Sequence, residues 1–216
     1  MVVGLIIGLW LIEKGINGSP PDFYHRLSEA ALELTAQHVV YDPSYYAIDY
    51  PNGDVPSDKG VCTDVIIRAY RKLGIDLQQR VHQDILAERA AYPRIWGPVK
   101  PDHNIDHRRV PNLMTFFTRH GKVLPITHHA EDYSPGDIVC WNLSRGITHI
   151  GIVVNRYGEE SGVFSMVHSD SAGSGPSAGS GPSAGRRNLI VHNIGAGQVV
   201  EDCLFSNKII GHYRYP

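Results

Sequence analysis

The chain has 216 residues, 42% hydrophobic and 19% charged, the size and mix of one soluble domain able to bury its own core. Twenty lysines and arginines against 22 aspartates and glutamates, with no long basic run, exclude the clustered positive surface that nucleic acid requires. Three cysteines, Cys62, Cys140 and Cys203, are too few and too far apart for a disulfide scaffold or a CxxC metal site. One bridge between Cys140 and Cys203 stays open as an arrangement, with Cys62 as the odd thiol.

The chain starts with an apolar run of eleven residues, Val2 to Ile12. Spanning a bilayer takes about 20 residues, whereas the core of an export signal takes about 7–15. Residues 1–18 therefore read as an export signal or signal anchor, which implies a periplasmic or secreted protein of the cell envelope with membrane association through this segment. A buried element of the domain is the alternative.

From residue 22 to the C-terminus the pattern is that of one domain. Leu27, Ala30, Ala31, Leu34 and Val39 suit an amphipathic helix over 22–40, capped by Asp22. A stretch rich in Tyr, Pro, Gly and Asp leads to "GVCTDVIIRAYRKLG", residues 60–74. Here Val65, Ile66, Ala69, Tyr70 and Leu73 share a helical face, and Gly74 suits the residue after a helix end. A second helix follows over about 76–90. Residues 93–112 form a long Pro-punctuated loop, and a short helix carries Leu113, Phe116 and Phe117.

After "YSPGD" the period changes from helical to strand-like. "DIVCWNL" and "ITHIGIVVN" form a hairpin; "GVFSMVHS", "NLIVHNIG" and "KIIGHYRY" add three strands. Helices followed by strands predict an α+β domain with N-terminal helices packed on an antiparallel sheet of about five strands. Within it, "SAGSGPSAGSGPSAG" at 171–185 is a flexible insert of about 170–187, which a hairpin carries at little entropic cost.

Twelve histidines invite a search for acid–base chemistry. Cys62 stands at a helix N-terminus, where the macrodipole lowers a thiol pKa. Cys140 and Cys203 lie in apolar strand-like segments, where a neutral thiol packs. A nucleophilic thiol needs a base and a group that orients it. His149 is the one strongly polar side chain in its strand, and such a ring is costly without a partner or a task. A core histidine bonded to backbone is the plainer alternative. His192 could orient it; Asn193 would face the other way, and His168 abuts the insert.

This combination of a helix-opening "GVCTDV", a hairpin "PGDIVCW…HIGIV" and a histidine on the next strand resembles the NlpC-type papain-like cysteine peptidases. The fuller set of blocks is similar to the bacterial envelope family called domain of unknown function 1287. That set adds "PDHNIDHRRVPNL", "VHNIGAG" and "KIIGHYRY" to "GVCTDVIIRAYRKLGIDLQ". The resemblance implies a papain-like NlpC-type fold over 22–216. It gives Cys62 as nucleophile, His149 as base and His192 as its orienter, with no cofactor and no metal. It further implies an amidase or endopeptidase acting on peptidoglycan stem peptides or another peptide. A non-catalytic envelope-binding module on the same fold is the alternative.

The polar cluster "DHNIDHRR" reads best as a wall of the substrate cleft. Trp96, Asp106, His107, Arg108 and Arg109 are its contact residues, with Arg108 or Arg109 offered to a substrate carboxylate. Asp64 could bind substrate, but capping its own helix is the better reading. His103 and His107, four apart, could pair on a metal only if the segment were helical, which Pro101 opposes.

Overall fold

Helical spacing early in the chain and strand spacing late in it become two layers. The computed structural model describes residues 22–97, 100–158 and 187–216. Four helices cover one face of a six-stranded antiparallel sheet. The N-terminal apolar segment, the strand expected at "GVFSMVHS", His168 and most of the Ser/Gly/Pro insert lie outside the described residues.

Helix α1, Phe23–Leu34, starts where the Asp22 carboxylate accepts the His25 N–H at 2.8 Å. It ends earlier than its apolar spacing suggests. Val40 donates its N–H to the Asp58 carbonyl, which draws the chain into β1, Val40–Tyr41, parallel to β2, Lys59–Gly60. Helix α2, Cys62–Lys72, is the buried axis of the domain, with Val65, Ile66, Ala69 and Tyr70 wholly inside. Burying Val65 and Ile66 contributes about 1.5–3 kcal/mol each, which pins the start of the helix against the sheet. Gly74, at φ +79°, closes the segment in the left-handed region that favours glycine. Helix α3, Leu77–Ala87, is capped by Asp76, and α4, Val110–His120, takes Pro111 in its first turn.

The sheet runs β3 (Lys122–Val123), β8 (Lys208–Arg214), β4 (Ile138–Asn142), β5 (Thr148–Tyr157), β6 (Asn188–His192), β7 (Val199–Glu201). It has six strands rather than about five. Strands β3 and β7 are two and three residues long, too short to show a period in sequence. Ile150, Ile152, Val154, Cys140 and Val191 face the helices. On the other face Val139, Trp141, Val153 and Ile190 pack with Tyr133 and Leu204.

The open question of a Cys140–Cys203 bridge is answered here, and the placing of Cys203 within a strand is corrected. Cys62, Cys140 and Cys203 are all free thiols, so no Cys140–Cys203 bridge forms. Cys140 lies on the helix side of the sheet and Cys203 packs against the opposite core, in a bend after β7 rather than within an apolar strand. The expected membrane association is corrected to this: among the described residues no helix is long and apolar enough to cross a membrane, and the N-terminal segment itself lies outside them.

Candidate active site

Two layers meet at Cys62. Valine cannot cap a helix with its side chain, so the entry to α2 is held by Asp64, whose carboxylate accepts the Val61 N–H at 2.7 Å. The other face of that carboxylate meets Arg108 at 3.0 Å, and both side chains are almost entirely buried. Arg108 also donates to the carbonyls of Ser44 and Asp42. Thr63 donates its hydroxyl to the Arg108 carbonyl. The first turn of α2 is thereby fixed by neighbours on both sides of Cys62.

Burial pushes the Cys62 thiol up to about 12, opposed by hydrogen bonding from the Ile150 amide and reinforced by the Asp64 charge. The helix N-terminus was expected to lower this pKa, and that expectation is corrected. Removing a thiolate from water costs more than the dipole returns.

The Ile150 amide has a reason to be there. Val153 donates to the Asp137 carbonyl on the β4 side, so by strand alternation the Ile150 N–H faces β6. The register Ile152↔Val191 puts Ile150 opposite Asn193, one residue past the end of β6. Asn193 turns to the helix layer and donates to the Gly60 carbonyl at 3.2 Å. Cys62 occupies the gap that remains.

His149 precedes Ile150 and projects from the opposite face of β5, its ring 5.7 Å from that of Trp141. Its Nε2 lies 2.8 Å from Nδ1 of His192. Gly151 makes this possible, since a Cβ there would stand 3.2 Å from Cβ of His192 and 2.7 Å from Ile190. His192 Nε2 in turn lies 3.0 Å from Oε2 of Glu201 and 3.6 Å from Sγ of Cys203.

This ladder fixes tautomers. Burial and the neighbouring His192 bring His149 down to about 4, and burial lowers His192 too, so both rings are neutral near pH 7. A carboxylate only accepts, so His192 carries its proton on Nε2 toward Glu201. Its bare Nδ1 then accepts from Nε2–H of His149, which leaves Nδ1 of His149 as a free lone pair. Among the described residues that Nδ1 makes no hydrogen bond. Glu201 was missed in the sequence because three-residue β7 gives no pattern; its only signal is an acid closing the apolar "VV" a short turn after His192.

The remaining predicted contact residues divide. Trp96, Asp106 and Arg109 line a cavity of about 510 Å³ with Arg89, Arg94 and Lys100. Arg109 lies over the Trp96 ring at 4.2 Å, and Asp106 meets His82 at 3.2 Å. Burial raises the Asp106 carboxyl. Asp64 and Arg108 are engaged with each other instead. His107 is 2% exposed, its Nδ1 has no partner, and burial brings it down to about 3. His103 packs its ring near Tyr50 and His82 rather than forming a metal pair with His107.

A family model described as Domain of unknown function (DUF1287) matches residues 28–178 and 180–215. A protein of Escherichia coli K12 named uncharacterized protein YijF is 41% identical over 189 residues, 88% of this chain and 80% of that protein. No solved structure matches.

Proposed function

The chain belongs to that family, whose description carries no activity, and we propose that it is a cysteine amidase or endopeptidase of the cell envelope. Its substrate class is the peptide amides of peptidoglycan stems, cleaved through an acyl-enzyme on a papain-like NlpC-type fold. The observation that carries this reading is the Glu201–His192–His149 ladder. It ends in a bare Nδ1 on the residue next to the one whose amide meets the Cys62 sulfur.

Each residue then has a task. Cys62 attacks the amide carbonyl while Nδ1 of His149 takes the thiol proton and passes it to the leaving amine. Water, deprotonated by the same imidazole, hydrolyses the thioester. His192 and Glu201 are positioning residues that keep Nδ1 bare. The first-turn amides of Cys62 and Thr63 have no intrahelical partner and are available to the developing oxyanion. The cavity that Arg109 lines with Arg89, Arg94 and Lys100 suits a substrate carboxylate. Both reacting groups are neutral at rest, so proton transfer accompanies attack; Cys62 lies on the helix side of β5 and His149 on its far side, so catalysis requires the start of β5 to rearrange on substrate binding.

The test is release of soluble fragments from purified peptidoglycan, read by chromatography with mass detection. Wild-type protein should release them, and Cys62→Ala or His149→Ala protein should not; equal release by the variants contradicts the mechanism. The second reading is a non-catalytic wall-binding module, favoured by the buried, neutral resting thiol. It predicts no turnover on any wall preparation and Cys62 alkylation by iodoacetamide no faster than a free thiol.

A further inference from the structure

One cluster joins His192 and Glu201 to a thiol, Cys203, that the chemistry above does not use. His192 Nε2, a Glu201 carboxylate oxygen and Cys203 Sγ all lie within 4.8 Å of one another. Three elements supply them: the last residue of β6, the last of β7 and the bend two residues beyond. Ligands held tetrahedrally by zinc stand ~3.5 Å apart for nitrogen and sulfur and ~3.3 Å for nitrogen and oxygen, from the usual metal–ligand lengths. The distances here are 3.6 Å and 3.0 Å. The set is therefore already close to coordination geometry without movement of the backbone.

The surroundings also fit. Glu201 is half-exposed and offers an entry from solvent, while the His192 side chain is 3% exposed. Cys203 packs against the far-face core, which restricts the sulfur. The second nitrogen of His192 is already hydrogen-bonded to His149, and it becomes the donor of that bond once Nε2 is taken by the metal. Imidazole, thiolate and one carboxylate together suit a borderline cation of the zinc type rather than calcium or magnesium.

We propose that His192, Glu201 and Cys203 form a zinc-type cation site whose occupancy switches off His149 as a base. The site itself stands on its own geometry; the switching half rests on the reading of His149 given above. On binding, Cys203 releases its thiol proton to solvent and the metal takes Nε2 of His192. The His192 proton moves to Nδ1, where it faces His149 Nε2. That nitrogen must now accept, so the His149 proton moves to Nδ1. The lone pair intended for the Cys62 proton is gone. One proton leaves per cation bound, and nothing is oxidised or reduced.

Cobalt(II) titration of the full chain carrying Cys62→Ala tests the site without needing any substrate. One equivalent should bind, with a thiolate-to-cobalt charge-transfer band in the near ultraviolet. The band should vanish when Cys203→Ser or Cys203→Ala is added, circular dichroism confirming that each variant is folded. No band, or a band that survives both substitutions, overturns the site. In wild-type protein, zinc should cut turnover by about a hundredfold, within the range that general acid–base catalysis contributes. A chelator should restore it, and Cys203→Ser protein should lose the inhibition. Zinc that binds but leaves turnover unchanged overturns the switch and not the site. Absence of turnover without metal counts against the peptidase reading, and the cobalt band still decides the site.

Discussion

His212 and His149 are both buried histidines on strands that flank β4, and both project from the face away from the helices. Their hydrogen bonds end differently. His212 meets the Pro125 carbonyl at 2.8 Å through Nδ1 and the buried Asp137 carboxylate at 2.9 Å through Nε2, with Tyr133 stacked on the ring. Nothing is left over. His149 engages one nitrogen with a second histidine, whose chain of bonds reaches half-exposed Glu201, and leaves the other nitrogen bare. Burial is alike at the two histidines; what differs is the lone pair left unused at His149, on which its proposed role as a base rests.

The largest effect should come from breaking the open ladder at its working end. His149→Ala is expected to lower kcat/KM by roughly 10²–10⁴, the range for loss of a general base, while the protein stays folded. The closed pair should behave in the opposite way. Asp137→Ala strands His212 and Arg214 and should cost about 3–5 kcal/mol in urea unfolding, with turnover per folded molecule unchanged. A loss of turnover at full folding would erase the distinction between the two histidines.

A third buried histidine sharpens it through pH. His107 is held down to about 3 against an ordinary value of 6.5. Between those values the unfolded chain binds the extra proton, so stability falls as pH drops below 6.5, by about 2 kcal/mol at pH 5. Urea midpoints from pH 7 to 5 should show the decline, and His107→Phe should flatten part of it; an unaltered slope would contradict this account. The smallest effect is expected at Glu201→Gln. An amide can still accept from His192 but no longer as a charge, so kcat should fall about tenfold with KM and the unfolding midpoint unchanged. A change in KM alone would mean that Glu201 touches substrate rather than acting through His192.

Much of the fold was legible because its elements carry long periods. The face Val65–Ile66–Ala69–Tyr70 and the caps Asp22 and Gly74 point to the helices, and alternation in "ITHIGIVV" to the central strand. What escaped is short or non-local. Strands β3 and β7 owe their existence to partners 92 and 9 residues away in register pairs such as Lys122↔Arg214 and Val191↔Val200, not to their own composition. For the site, chain position brought out Cys62, His149 and His192 as an unusual polar set. It could not reveal that Asp64 and Arg108 satisfy each other, because residues 44 apart in sequence meet only in the fold. The thiol pKa was misjudged for a related reason: a helix start can be read in sequence, but the burial around it cannot.

The central claim is that Cys62 forms a covalent acyl intermediate and that the Glu201–His192–His149 ladder resolves it. Acid-quenching a reaction of wild-type protein with purified stem peptides, followed by peptide-resolved mass spectrometry, reads this directly. The account predicts an acyl adduct confined to the peptide bearing Cys62, absent from His149→Ala protein. Fragment release with no adduct at Cys62, or an adduct on Cys203 or Cys140 instead, would contradict it.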